Sequence, residues 1–342
     1  MTESINHKIC VAPMMEWTDR HCRFFLRQLT QHCLLYTEMV TTAAVLRGNP
    51  DWLLKFSPAE HPLALQLGGS DPEALATAAR IGADYGYDEI NLNVGCPSNR
   101  VRSGRFGACL MAEPGLVADC VAVMLASVDV PVTVKTRIGI DSQDSYEFLQ
   151  QFIEHVMAAG CRTVIIHARK AMLGGLSPKE NRTIPPLKYA TVYRVKRDFP
   201  ELEVILNGGI TDLHAAATHL ETVDGVMLGR EAYHNPFILA GVDARFYGAT
   251  QQPISRDMAI RRMLPYIEME LHAGTALKHI TRHLLGLYQG VPGARAWRRH
   301  LSQHATAGNA GIEVIEEALD IVHHIAATVD PEPLAQAGHG GM

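Results

Sequence analysis

A chain of 342 residues, 47% hydrophobic and 20% charged, has material for a full core and excludes disordered and fibrous classes. Its net charge of −5 excludes a uniformly basic coat for nucleic acid. Seven cysteines with no Cys-x-x-Cys, and 17 scattered histidines with no His-Glu-x-x-His, give neither a disulfide framework nor a metal motif.

The polar stretch Met1 to Lys8 holds no secretory apolar run, and no segment is apolar enough to span a bilayer. A cytoplasmic monomer with free thiols and no membrane or metal partner is expected. Eight short β-type runs follow in order: Ile9–Met14, Leu34–Val40, Leu63–Gly68, Glu89–Val94, Val132–Ile138, Thr163–Ala168, Glu203–Asn207 and Gly225–Gly229. Several are continuous apolar runs, as strands buried on both faces are. Helical patterns lie between them at Pro72–Tyr85, Pro114–Ser127, Ser145–Ala159 and Leu213–Leu220. Asp71-Pro72 is a helix start, a capping side chain followed by proline in the first turn. Strands alternating with helices in this number predict an α/β fold, a (β/α)8 TIM barrel, over residues 1–243.

From residue 250 onward no strand pattern appears. Met258–Thr275, Leu277–Tyr288, Ala294–Gln303 and Ile312–Ala327 read as helices, with a turn at Gly290-Val291-Pro292-Gly293. An appended C-terminal α-helical domain is therefore expected over 244–330, with a disordered tail at 331–342. Between Arg245 and His300 there are nine Lys or Arg and three acids, a local +6 in an acidic chain. That asymmetry points to an anion-binding face. A solvated helix surface would carry the same charges.

In a barrel of this kind the C-terminal strand ends carry the chemistry. Those ends hold Pro13, Met14 and Met15; Gln66; Asn93 and Cys96; Lys135 and Arg137; His167, Arg169 and Lys170; Asn207, Gly208 and Gly209; and Gly229 and Arg230. The glycine loops after the seventh and eighth strands can bring backbone N–H groups to a phosphate, and Arg230 can add a charged hydrogen bond. Lys135 and His167 place donors at the mouth, where a cation would steady the anionic edge of a reduced flavin. Cys96 sits where the alternating run Glu89–Val94 meets a loop containing Ser103, Gly104 and Gly107. A buried structural cysteine would occupy the same place. Together these features suggest a flavin mononucleotide (FMN) enzyme with a thiol acid.

The motifs Ala12-Pro13-Met14, Gln66-Leu67-Gly68-Gly69, Asn91-Leu92-Asn93-Val94-Gly95-Cys96-Pro97, Lys135-Thr136-Arg137, His167-Ala168-Arg169 and Asn207-Gly208-Gly209 together resemble the tRNA-dihydrouridine synthase family. Leu35–Thr42, Leu176–Arg182 and Ile184-Pro185-Pro186 are similar to its bacterial A-type subfamily. The resemblance covers roughly residues 8–300. It implies an FMN barrel with a helical RNA-recognition domain, NADPH as reductant, and uridines 20 and 20a of the tRNA D-loop as substrates. Hydride would reach C6 from reduced flavin and a proton would reach C5 from Cys96. A thiol suits that role, since free thiols titrate near ~8.5 and hold their proton at neutral pH. The family pattern assigns Pro13, Met14, Met15, Gln66, Lys135, His167, Asn207, Gly208, Gly209, Gly229 and Arg230 to FMN. It assigns Asn93, Arg137 and Arg169 to substrate, and Lys179, Arg182, Arg295, Arg298 and Arg299 to tRNA. Two other readings stay open on the residues alone. An FMN oxidoreductase of a small molecule of the dihydroorotate type leaves the basic segment unexplained. A non-enzymatic tRNA-binding protein needs neither flavin nor Cys96.

Overall fold

The computed structural model describes residues 5–98, 101 and 104–328. The expected tail at 331–342 and Ser103 of the loop after Cys96 lie outside the described residues. Nine strands form one parallel sheet: β1 Ile9–Val11, β2 Leu34–Tyr36, β3 Val40–Thr41, β4 Leu63–Gly68, β5 Glu89–Val94, β6 Val132–Arg137, β7 Thr163–His167, β8 Glu203–Asn207 and β9 Gly225–Leu228. Their order is β2-β1-β9-β8-β7-β6-β5-β4-β3, and β2 also pairs with β4, which closes a barrel with β3 as an extra strand beside β4. The expected (β/α)8 fold is what the chain adopts.

Two strand expectations are shortened by more than one residue, each for a visible reason. Leu34–Val40 breaks into β2 and β3 because the Thr37 hydroxyl accepts from the Gln66 N–H at 3.0 Å, in place of a strand carbonyl. The first strand stops before Pro13, which has no N–H for the ladder; its last bond is Ala12 N to Leu228 O at 2.8 Å. Helices start where short polar side chains cap them. Asp19 caps Arg20–Leu29, Asp71 caps Pro72–Asp84, Ser145 caps Tyr146–Ala158 and Asp212 caps Leu213–Leu220. Helices also form at Thr42–Arg47, Pro50–Leu54 and Tyr189–Asp198.

The described residues fall into two compact units. One runs to Tyr233 and takes in Ile238–Pro253; the other holds His234–Phe237 and the chain from Ile254. Residues past 243 stay with the barrel because Tyr247 Oη accepts from the Ile9 N–H at 3.0 Å and Phe246 O accepts from Lys8 Nζ at 3.2 Å. The second unit contains helices Arg256–His272, Lys278–Thr281, Ala294–His304 and Glu313–Thr328. The helix expected over Leu277–Tyr288 is a correction: only Lys278–Thr281 is α-helical. Beyond it the backbone makes tighter bonds, His283 N to Ile280 O and Leu284 N to Thr281 O. The Leu284 carbonyl accepts from Leu287 N at 3.1 Å and from Trp297 Nε1 at 2.9 Å, and the Leu287 carbonyl accepts from Arg256 Nε at 2.9 Å. Trp297 is fully buried and is the centre of this unit's core.

Alternation along the strands sends Cys10, Ala12, Leu34, Tyr36, Ala64, Ile165, Ile205 and Met227 into one apolar cluster inside the barrel. Below it lies a buried ionic group. His7 Nε2 is 2.6 Å from Glu89 and its Nδ1 is 3.0 Å from Glu203. Burial alone would depress the imidazole, but the carboxylates of Glu203 and Glu89 outweigh it and raise His7 from 6.5 to about 10. A raised histidine stabilises fully below its unfolded value and loses that contribution as pH climbs through its folded value. His7→Gln should therefore lower the denaturation midpoint most at pH 6 and below, with the gap from the parent narrowing towards pH 10. Urea melts of both proteins across that range check it, and a gap that is flat or widens with pH contradicts the assigned charge.

Candidate active site

The polar strand ends predicted from sequence converge on the C-terminal mouth of the barrel. In register, Gln66 lies opposite Asn91, Asn93 opposite Lys135, Arg137 opposite His167, and His167 opposite Asn207. Asn93 Nδ2 donates to Gln66 Oε1 at 2.8 Å. Its Oδ1 accepts from the N–H groups of Gly95 and Cys96 at 3.1 and 3.0 Å, so the asparagine fixes the start of the Cys96 loop. Lys135 Nζ donates to Asn207 Oδ1 at 3.1 Å, and Asn207 Nδ2 donates to Met227 O at 2.7 Å.

Cys96 is half-exposed, whereas Cys10, Cys22, Cys33, Cys120 and Cys161 are buried. Cys96 and Cys109 are the two cysteines that are not fully buried. Cys96 Sγ lies 3.6 Å from Ser98 Oγ, and the Cys96 carbonyl accepts from the Ala108 N–H at 2.9 Å. Gly107 makes that return possible. Its φ is +74°, and a Cβ there would stand 2.7 Å from Cys96 O.

The mouth is electrically one-sided. Among the described residues, Lys135, Arg137, Arg169, Arg182 and Arg230 make no ion pair with a carboxylate. Burial and then the neighbouring Arg137 push the Lys135 ammonium down from 10.5 to about 7. Burial lowers Arg137 to about 10. His167 is held well below 6.5 by burial and by the charges of Arg137 and Lys135, and its Nδ1 is buried without a partner. A pocket of this kind is completed by an anion that also brings hydrogen-bond acceptors.

Not every expected site residue faces it in the same way. Arg137 is engaged with backbone: Nε donates to Gly95 O at 3.0 Å and Nη1 to Lys170 O and Asn181 O at 3.2 and 3.0 Å. Arg169 Nη1 donates to Pro185 O, while its Nε is buried and unpaired. Arg230 Nη2 reaches Arg182 O at 3.2 Å. Met14 packs on the barrel cluster, Met15 is 54% exposed and Pro13 is half-buried. Lys179 and Arg182 are exposed on the loop after β7. In the second unit Arg295 and Arg299 are exposed and Arg298 is half-exposed, donating to Gln289 Oε1 at 3.1 Å. None of these three makes an ion pair among the described residues.

Sequence reasoning passed over Asn181, which is fully buried and holds its loop by bonds to Met172 on both sides of the amide. It passed over Tyr189, whose Oη donates to Gly208 O at 2.8 Å. It also passed over Asn91 and Thr133 inside the barrel. A signal for the last pair was present: Glu89, Asn91 and Asn93 alternate, so one face of a doubly buried strand is wholly polar.

A family model described as dihydrouridine synthase matches residues 10–323. A tRNA-dihydrouridine(20/20a) synthase of Shewanella oneidensis is 60% identical over 321 residues, 94% of this chain and 96% of that protein. A protein of the same name from Escherichia coli K12 is 60% identical over 316 residues, 92% of this chain and 91% of its own. Among solved structures, an old yellow enzyme homologue from Zymomonas mobilis superposes with a TM-score of 0.51 at 13% identity, covering 72% of this chain and 90% of that one. That likeness is one of barrel fold. With the motifs converging on one mouth and the match running through both units, the chain belongs to the dihydrouridine synthase family.

Proposed function

We propose that this chain reduces uridine to 5,6-dihydrouridine at positions 20 and 20a of the tRNA D-loop, in the cytoplasm, with FMN as resident cofactor and NADPH as reductant. The reading is carried by 60% identity across both units to proteins named for that reaction. The cation-lined mouth beside an accessible thiol agrees with it.

The residues present fit FMN. The orphaned His167 Nδ1, the carboxylate-free cations and the open space at Gly229, where a Cβ would meet nothing nearer than Ala12 at 4.0 Å, suit a phosphate-bearing flat ligand. Gly208, Gly209, Gly229 and Arg230 would hold the phosphate. Pro13, Met14, Met15, Gln66, Lys135, His167 and Asn207 would hold the ring system. Bound there, the flavin supplies the hydride that uracil C6 receives.

The chain's own residues do the rest. A D-loop base must leave its stack to reach a barrel mouth. Lys179, Arg182 and Arg169 would meet the backbone of the extruded segment, and Arg295, Arg298 and Arg299 the tRNA body. Asn93 uses one Nδ2 hydrogen on Gln66 and keeps the other for a uracil carbonyl, where charge grows as the ring is reduced. Cys96 gives its thiol proton to C5 as the C5–C6 double bond becomes single. Arg137, through Gly95 O, helps fix the loop that carries the thiol.

Three outcomes test this reading. Burial pushes the Lys135 ammonium down to about 7, and a bound flavin phosphate and carbonyl acceptors favour its charged form. Binding then takes up a proton, so FMN affinity for the stripped protein should fall by up to about ten-fold per pH unit above pH 7. Fluorescence titrations at pH 7, 8 and 9 measure it; Lys135→Met should bind more weakly with a flat profile.

Cys96→Ala should keep bound flavin and NADPH oxidation by oxygen while losing about 100-fold or more of dihydrouridine formation. Mass analysis of the tRNA product decides, and near-normal turnover would remove the thiol from the reaction. Replacing Arg298 and Arg299 by Ala should weaken tRNA binding and lower the slope of log affinity against log salt by up to roughly 1–2. Flavin reduction by NADPH should be unaltered. Binding titrations at two salt concentrations read both numbers, and an unchanged slope places the arginines outside the RNA contact.

A further inference from the structure

We propose that Asn91 and Thr133, inside the barrel below the mouth, are positioning residues that hold the Cys96 loop through a one-way chain of side-chain hydrogen bonds. The chain starts at Glu89, which is fully buried. Thr133 Oγ1 donates to Glu89 Oε1 at 2.6 Å. Asn91 Nδ2 donates to Thr133 Oγ1 at 2.8 Å. Gln66 Nε2 donates to Asn91 Oδ1 at 2.8 Å, and Asn93 Nδ2 to Gln66 Oε1 at 2.8 Å. Asn93 Oδ1 then accepts from Gly95 N and Cys96 N.

The direction is forced from both ends. A carboxylate only accepts, so the threonine hydroxyl must donate to it and can only accept from Asn91. Backbone N–H groups only donate, so Asn93 must turn its oxygen to them. Each amide between has one orientation that satisfies both neighbours. Amide orientations are otherwise assigned from their partners, and here every partner agrees. A reversed amide at any link would face donor to donor in a buried site, at the cost of two unmade bonds.

In register, Asn91 stands between Gln66 and Thr133, so it links the buried Glu89 to the amides at the mouth. Glu89 takes the Thr133 hydroxyl, and the amides above carry that fixed direction to the N–H groups of the Cys96 loop. Without Thr133 the Asn91 amide has no acceptor for its N–H and is free to turn. Gln66 then loses its acceptor, and Asn93 loses the partner that holds its oxygen towards Cys96.

The inference rests on Cys96 being the proton donor, so the test includes a readout independent of that reaction. Cys96 alkylation by iodoacetamide is followed by peptide mass mapping on the flavin-loaded protein, with the half-exposed Cys109 as internal reference. Thr133→Val removes the hydroxyl at nearly constant shape and should change the Cys96 rate relative to Cys109 by about five-fold or more, the factor carried by one ordinary hydrogen bond. Thr133→Ser restores the hydroxyl and should return the rate to within about two-fold of the parent. Tyr36→Phe removes another donor to the same carboxylate, 2.8 Å from Glu89 Oε1, but lies off the chain and should leave the rate alone. Asn91→Leu, of similar size with neither donor nor acceptor, should behave as Thr133→Val and serves if that variant does not fold.

In single turnover, tRNA-driven flavin oxidation should slow in Thr133→Val by a similar factor while reduction by NADPH stays at the parent rate. An unchanged Cys96 rate in Thr133→Val, or in Asn91→Leu if only that folds, overturns the proposal. So does an equal change in Thr133→Ser or Tyr36→Phe, which would mark general loosening. If the parent protein forms no dihydrouridine in tRNA, the functional reading fails, and the alkylation series still decides whether the chain of hydrogen bonds holds the loop.

Discussion

A carboxylate with no access to water has to be satisfied by the protein around it, and Glu89 imposes that requirement on the barrel. His7 supplies positive charge from below, Tyr36 and Thr133 supply hydroxyls from two other strands, and Glu203 shares the imidazole. These contacts tie β2, β5, β6 and β8 to the segment before β1 without any loop taking part. The mouth then sits on a rigid floor. A rigid floor suits a site whose proposed proton donor stands on a loop, since loop geometry is otherwise the least reproducible part of a barrel enzyme.

The two ends of the barrel solve opposite electrostatic problems. At the floor, opposite charges are paired, His7 and Glu89 buried and Glu203 partly exposed. At the mouth, Lys135, Arg137, Arg169, Arg182 and Arg230 make no ion pair among the described residues, and burial first and the neighbouring cations second lower the proton affinity of Lys135 and His167. Such an excess is costly in an empty protein and is relieved by an anionic ligand. A depressed lysine ammonium is favoured again by an anionic ligand, so the cost of assembling the mouth favours a ligand-bound state.

Much of this was legible in the sequence. Apolar runs of strand length with helical patterns between them gave the barrel, and the polar residues at their ends gave the mouth, because strand ends are fixed by a period of two. What stayed hidden depended on contacts across the chain. Leu277–Tyr288 has the composition of a helix, yet the buried Trp297 and Arg256 take its carbonyls. Leu34–Val40 has the composition of one strand, yet Thr37 interrupts it by capping the Gln66 N–H. Arg137 looked like a free cation at a strand end, and its three backbone acceptors come from segments up to 44 residues away. Asn91 was visible as an alternation and unreadable as a role, since its partners sit on two neighbouring strands.

The glycine loops show how one sequence signal can have two physical causes. Gly208 and Gly209 have φ of +115° and +75°, and a Cβ at Gly209 would stand 2.4 Å from Leu187 and 2.7 Å from Tyr189 Oη. The backbone turn and the packed leucine demand glycine there with or without a ligand. Gly229 has neither constraint: its nearest neighbour to a Cβ is Ala12 at 4.0 Å. A side chain would fit in the protein alone, so the protein's own packing does not explain why this position lacks one. Of the two loops that suggested a phosphate, the second therefore carries the argument for a ligand. The first shows only that the chain must turn sharply after β8. A charge placed at Gly229 probes the ligand, whereas one placed at Gly209 would first probe the fold.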